Sequence, residues 1–144
     1  MDKVQLARMY VDDAMREGVM EVLESGHWIK GQKSKDFAAK FAEYSGATAG
    51  VTCSNGSVAL IAGLRLLGVG HGDEVIVPSH TYIASATAAN LVGATPVFVE
   101  VGDDFTADPD SIRDAITERT KAAILVHLYG QPVKMEAIDA VREA

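Results

Sequence analysis

Three short polar stretches carry residue types from which a site can be built. The first is Ser54, Asn55, Gly56 and Ser57, set between a short apolar run, Ala49–Thr52, and a long apolar helix pattern, Ser57–Leu67. This reads as a strand-to-helix turn, in which free backbone N–H groups and short polar side chains face one spot and the helix dipole adds partial positive charge. Such a spot suits a phosphate or carboxylate, and Gly56 lets the anion come close where a Cβ would obstruct it. A helix merely capped by Asn55 or Ser54 explains the same residues, and spacing leaves both readings open. The second stretch, Ser79–Tyr82, offers the aromatic face of Tyr82 with His80 and Thr81 beside it. The third, His127–Gln131, offers an imidazole suited to acid–base work and the ring of Tyr129. Taken singly, Tyr82 also reads as a core aromatic with its hydroxyl at the surface, and His127 as a structural histidine at a strand end. An anion cradle together with an aromatic plate suits a flat phosphorylated ring.

Other chemistries find little support. One cysteine, Cys53, and four scattered histidines give no metal-ligand spacing. Ser54 lacks the glycine pattern of a nucleophile elbow, and no glycine-lysine pair of the Walker type occurs. The glycine-rich run Gly68–Asp73 follows a helix and precedes a strand, the reverse of a dinucleotide fingerprint, and reads as a helix stop and turn. A net charge of −7, with no basic cluster denser than Lys30, Lys33 and Lys35, argues against nucleic-acid binding. Hydrophobic content of 48% with 23% charged residues describes a globular chain. No apolar run is long enough to span a bilayer, and no signal segment opens the chain. The single cysteine fits a reducing setting, so a cytoplasmic location is expected.

The elements that must position these residues alternate. An extended lead-in, Met1–Val11, precedes a helix capped by Asp12 or Asp13 and stopped by Gly26, with Met15, Val19, Val22 and Leu23 on one face. The loop His27–Gln32 carries the only tryptophan, Trp28. A second helix is expected to start at a Ser34 cap and to bury Phe37, Phe41 and Tyr44 as core. Beyond the opening turn come a strand at Glu74–Val77 stopped by Pro78, a helix at Ala84–Leu91, and a strand at Pro96–Val101. Asp108 and Pro109 then start a helix running to Ile116, followed by a strand at Lys121–Val126 and a last helix from about Lys134. This is an α/β pattern with a largely parallel sheet. The last helix has no stop signal, so the chain is expected to be the front part of a longer protein.

In order along the chain, Trp28-Ile29-Lys30-Gly31, Phe37–Tyr44, Cys53–Leu60, Gly72–Pro78, Thr81–Ala84, Gly93–Val99 and His127–Pro132 resemble the start of the DegT/DnrJ/EryC1/StrS family of pyridoxal-phosphate sugar aminotransferases. The resemblance covers nearly the whole chain. It implies a three-layer α/β fold, the N-terminal portion of a type I, aspartate-aminotransferase-like large domain, with residues 1–33 as an inter-subunit segment and 34–144 as an incomplete cofactor-binding domain. It implies that Asn55, Gly56 and Ser57 hold the phosphate of pyridoxal phosphate and that Tyr82 stacks on its ring. His127, Trp28 and Gly31 are expected near the mouth of the site, and a homodimer is expected to share its two sites. The implied reaction moves an amino group, with glutamate as the expected donor, to a keto group of a nucleotide-linked sugar for amino-sugar or polysaccharide biosynthesis.

Two departures stand out. Ser57 replaces a more usual threonine while keeping the hydroxyl, and His80 replaces what is frequently an apolar or aromatic residue. The Schiff-base lysine and the acid that pairs with the pyridine nitrogen are expected beyond residue 144. None of Lys3, Lys30, Lys33, Lys35, Lys40, Lys121 or Lys134 sits in a matching motif, so the 144 residues alone are expected to be inactive. A sugar dehydratase of the same family, with histidine in place of that lysine, is the nearest rival reading. A non-catalytic regulatory or interaction domain is the rival from another class.

Overall fold

The computed structural model describes residues 8–142; part of the expected lead-in and the final two residues lie outside them. The chain divides into two compact units between Thr52 and Cys53. In the first, helix α1 spans Asp13–Ser25 and helix α2 spans Gln32–Tyr44. Asp12 caps α1 by accepting the Met15 N–H at 2.8 Å, and Gly26 ends it in the left-handed conformation (φ 68°). Helix α2 starts earlier than the Ser34 cap implied. Gly31 takes the N-cap position, and Gln32 donates to Asp36 at 2.8 Å, an i,i+4 bond across the first turn.

The expected core role of the α2 stripe is not met. Phe37, Phe41 and Tyr44 are 60, 57 and 90% exposed, and Ala42 is the one buried residue of the unit among those described. The α1 face with Met15, Val19 and Leu23 is exposed as well. Helical periodicity records a face that needs cover, and within this unit no third element provides it. The strand expected at Ala49–Thr52 is also absent. This run is exposed and has no ladder partner among the described residues, and an apolar run without a neighbouring strand cannot satisfy its backbone as a strand.

The second unit holds the sheet. In chain order it contains α3 (Gly56–Leu66), β1 (Glu74–Pro78), α4 (Ala84–Leu91), β2 (Thr95–Val99), α5 (Pro109–Ala115), β3 (Thr120–Ala123), a short 3-10 turn at Leu128–Gly130, and α6 (Met135–Arg142). The strand order is β2-β1-β3, with both pairings parallel. The central strand explains its own sequence. Val75, Ile76 and Val77 are fully buried, because a middle strand covered on both faces needs an unbroken apolar run. Val75 and Val77 join Leu64, Ala86, Ala88 and Ala89 of α3 and α4 on one face, whereas Ile76 joins Ile112, Ala137 and Ala140 of α5 and α6 on the other. The fold is therefore three-layered, helices on sheet on helices. Strand β2 is an edge, where Pro96 and its missing N–H are tolerated.

The amino end of the sheet is closed by a polar cluster. Glu74, only 7% exposed, accepts from the Thr117 hydroxyl at 2.6 Å and from Arg119 Nε at 2.9 Å. These partners, Thr117 foremost, hold its carboxyl below the usual glutamate range against the opposing effect of burial. No helix among the described residues is long and apolar enough to cross a membrane.

Candidate functional site

The direction of the crossovers places the site. Strand β1 leads through Ser79–Ile83 to α4 on one face of the sheet, and β3 leads through residues 124–134 to α6 on the other. Where two adjacent parallel strands send their chains to opposite faces, the loops part and a crevice opens beyond their carboxyl ends. A groove of about 760 Å³ lies there, lined by Asn55, Gly56, Ser57, Thr81, Tyr82 and His127, with Leu60, Ala84, Ser85 and Ile124–Val126 as its remaining walls. The three loops singled out in the sequence thus meet at one groove.

The α3 end of the groove is a helix N-terminus with its cap in place. Asn55 Oδ1 accepts the Val58 N–H at 3.0 Å, and the Asn55 carbonyl accepts the Ala59 N–H at 3.1 Å. The N–H groups of Gly56 and Ser57, at the first two helical positions, have no partner that an α-helix can supply. The cap and the anion cradle are therefore compatible: the Asn55 side chain is occupied by capping, and the donors left for an anion are those two amides and the Ser57 hydroxyl. A Cβ built on Gly56 meets no protein atom within 4 Å, so packing does not require glycine there, and the space beside it is open.

Tyr82 is 74% exposed, which excludes the core-aromatic reading and leaves its ring free to meet a ligand. His127 is fixed by a backbone donor, since Val133 N–H points at Nδ1 at 3.0 Å. An amide can only donate, so the neutral ring carries its proton on Nε2. In the sequence Thr81 stands out only as a neighbour of Tyr82. Its hydroxyl oxygen is buried and is the one such side-chain atom among the described residues without a hydrogen-bond partner. No sequence pattern signals this, because a threonine at a strand end is ordinarily satisfied by solvent or backbone.

His80 does not line the groove. Its ring lies with those of Phe105 and Tyr129, centroids 5.8 and 6.2 Å away, and its Nε2 is 3.3 Å from the Tyr129 hydroxyl. Trp28 and Gly31 belong to the first unit and line a groove of their own there, with Trp28 Nε1 donating to the Leu23 carbonyl at 3.2 Å. Gly31 is needed locally, since a Cβ would lie 2.8 Å from the His27 carbonyl oxygen. Among the described residues no three His, Cys, Asp or Glu side chains gather as a metal site would require.

The profile of the DegT/DnrJ/EryC1/StrS aminotransferase family matches residues 10–144. The chain belongs to that family. It is 47% identical over 128 residues to the dTDP-3-amino-3,6-dideoxy-alpha-D-galactopyranose transaminase of Aneurinibacillus thermoaerophilus, covering 88% of this chain and 35% of the relative. Among solved structures it superposes on DesV of S. venezuelae with a TM-score of 0.83 at 46% identity, covering 89% of this chain and 35% of DesV. It also superposes on the E. coli GDP-4-keto-6-deoxy-D-mannose-3-dehydratase with bound hydrated pyridoxal phosphate, with a TM-score of 0.90 at 26% identity, covering 100% of this chain and 39% of that one. The chain thus spans about a third of the length of the relatives it matches. Pyridoxal phosphate is the cofactor of the family's enzymes.

Proposed function

We propose that the whole protein is a pyridoxal-phosphate aminotransferase that transfers an amino group, with glutamate as donor, to a keto group on a nucleotide-linked sugar. The observation that carries the reading is the groove at the switch between β1 and β3, where a capped helix N-terminus faces an exposed aromatic ring. The residues present fit the cofactor. The Gly56 and Ser57 amides and the Ser57 hydroxyl would hold its phosphate, the open space at Gly56 would admit it, and Tyr82 would stack on its ring. Bound there, pyridoxal phosphate supplies an electron sink for chemistry beside the amino nitrogen. What this chain's own residues contribute is binding and orientation, with His127 offering a donor from Nε2 at the mouth of the groove. Trp28 and Gly31 are assigned to the mouth on the resemblance alone, as part of an inter-subunit segment at residues 1–33.

On this reading the 144 residues by themselves bind cofactor weakly and turn nothing over, because no lysine here sits in the required motif. The apolar stripes left exposed on α1 and α2 support pairing of two copies, and a cytoplasmic setting fits such an enzyme. The likeness to the dehydratase favours one second reading, elimination from a keto sugar instead of amino transfer. Protein expressed from the complete reading frame decides between them. Amino transfer from glutamate to a keto nucleotide sugar, with borohydride fixing the cofactor to a lysine, is the expected result. Cofactor uptake without lysine capture selects the dehydratase reading, and no uptake at all refutes both.

A further inference from the structure

We infer that the groove of the first unit seats a nucleoside diphosphate, its base against Trp28 and its phosphates beside Lys30 and Lys35; this rests on the nucleotide-linked sugar reading above and names where that part of the substrate binds. The groove has a volume of about 560 Å³, the size of a small-molecule site, and Glu21, Trp28, Lys30, Lys33 and Lys35 are among its walls. Three of the chain's thirteen Lys and Arg residues fall within residues 30–35, in a chain of net charge −7. One of the three is already matched, since Lys33 Nζ lies 2.6 Å from Glu21 Oε2. Lys30 and Lys35 are exposed and make no ion pair among the described residues. Two unmatched ammonium groups on one groove suit two linked phosphates. A lysine acts as a point charge on a flexible stem, so it needs no fixed direction to do this. The negative charge of the chain as a whole repels a long polyanion, which leaves a small anion as the occupant.

The ring supplies the second half of the site. Trp28 is 70% exposed, yet it is held, because its Nε1 donates to the Leu23 carbonyl at 3.2 Å and the preceding His27 N–H donates to Ser25 Oγ at 3.1 Å. The loop then folds back so tightly that a Cβ on Gly31 would lie 2.8 Å from the His27 carbonyl oxygen. Lys30 takes a left-handed backbone (φ 52°), uncommon outside glycine, and such residues cluster at ligand sites. A large ring kept in water, with its one donor already used, has stacking left to offer. A nucleobase is a flat ring that stacks on such a face whatever its identity, and it carries its own phosphates.

The test uses the protein from its complete reading frame. Uridine, thymidine and guanosine diphosphates are titrated calorimetrically against wild type, Trp28→Leu, the double variant Lys30→Gln/Lys35→Gln, and the control Lys40→Gln/Lys121→Gln, which removes two exposed lysines outside the groove. Inorganic pyrophosphate and pyridoxamine phosphate are titrated alongside. K30Q/K35Q should bind both the nucleoside diphosphate and pyrophosphate at least about tenfold more weakly. W28L should weaken the nucleoside diphosphate by about five- to tenfold and leave pyrophosphate unchanged. The control should stay within about twofold of wild type, because distant surface charges are screened. All variants should bind pyridoxamine phosphate as wild type does, which also shows that they are folded. Groove variants that bind nucleoside diphosphates like wild type overturn the inference. So does a control that loses as much as K30Q/K35Q, or a groove variant that loses pyridoxamine phosphate in the same proportion. Wild-type protein that binds none of the three nucleoside diphosphates refutes the nucleotide-linked sugar reading itself, and the wild-type titration therefore tells the two failures apart.

Discussion

Asn55→Asp separates the two jobs assigned to the α3 N-terminus. Asn55 accepts the Val58 N–H through Oδ1 at 3.0 Å, and its Nδ2 lies 3.5 Å from Ser54 Oγ. Aspartate keeps the first bond, and its second oxygen can accept from the Ser54 hydroxyl, so the cap survives. Asparagine and aspartate cap about equally well, and a carboxylate gains about 0.3–1 kcal/mol from the helix dipole. The cofactor-free variant should therefore be as stable as wild type or slightly more so. Ligand binding moves the other way. A charge of −1 about 6 Å from a phosphate of about −2 costs about 1.4 kcal/mol at water's dielectric constant and about 5.5 kcal/mol at an effective value of about 20. Because about 1.4 kcal/mol is a factor of ten, pyridoxal phosphate should bind at least about tenfold more weakly. Pyridoxal, which lacks the phosphate, should bind both proteins alike. Equilibrium titration with the two ligands and urea unfolding without either supply the measurements. Asn55→Ala is the control for the cap and should cost about 1 kcal/mol of stability. If N55D binds pyridoxal phosphate as tightly as wild type, or loses pyridoxal in equal proportion, the phosphate does not sit at this helix end.

Tyr82→Ala should leave cofactor-free stability within about 0.5 kcal/mol of wild type, because the ring is already exposed. The same variant should lose up to about tenfold in cofactor affinity, the loss of a stacking contact of about 0.5–1.5 kcal/mol, while Tyr82→Phe retains it; equal affinities for the alanine and phenylalanine variants would remove Tyr82 from the site. Glu74 has a folded pKa below its unfolded value, so its contribution is present above about pH 4.3 and is lost as pH falls through the depressed value. Urea unfolding of wild type and Glu74→Gln should accordingly show a stability gap at neutral pH that narrows as the solution is acidified below about pH 4.3, and a gap independent of pH would refute the assignment. Two glycines should respond with opposite signs. Gly93→Ala forces a side chain into φ 90° with its Cβ 3.1 Å from the His71 ring and should cost about 1–3 kcal/mol. Gly63→Ala, inside α3 with nothing within 4 Å, should gain about 0.5–1 kcal/mol, both read by thermal or urea unfolding.

Local chemistry made much of the second unit legible. Asp108 followed by Pro109 specifies a helix start through geometry confined to three residues, and Asp108 Oδ1 does accept the Asp110 and Ser111 N–H groups at 2.9 Å. Glu74–Val77 reads as a strand stopped by Pro78, and its unbroken apolar run suits the central, doubly covered place that β1 takes. Failures came where the answer lay in a partner. The apolar pattern predicts a strand over Lys121–Val126, yet β3 ends at Ala123, and beyond it the Ile124 N–H continues to β1, donating to the Ile76 carbonyl at 2.8 Å. Apolar residues report burial, and burial under side chains looks in sequence like burial in a ladder. Phe37, Phe41 and Tyr44 make the same point: their spacing states that a face wants cover without stating what covers it.

The groove adds a case in which strand order itself is the missing information. The alternation of strands and helices is by itself compatible with the order β1-β2-β3, and within the strands only Pro96, whose missing N–H suits an edge, and the unbroken apolar run of β1 speak against it. In that alternative β3 would lie two strand spacings from β1, about 9–10 Å, with β2 between their carboxyl ends. The Tyr82 and His127 loops would then have no common crevice. The observed order places β3 directly against β1, Val75 opposite Ala122 and Ile76 opposite Ala123, while α4 and α6 leave toward opposite faces. That reversal lets Thr81, Tyr82, His127 and the α3 N-terminus line one groove. The residues were therefore readable one by one as chemistry, but their convergence depended on a long-range pairing that their own types do not encode.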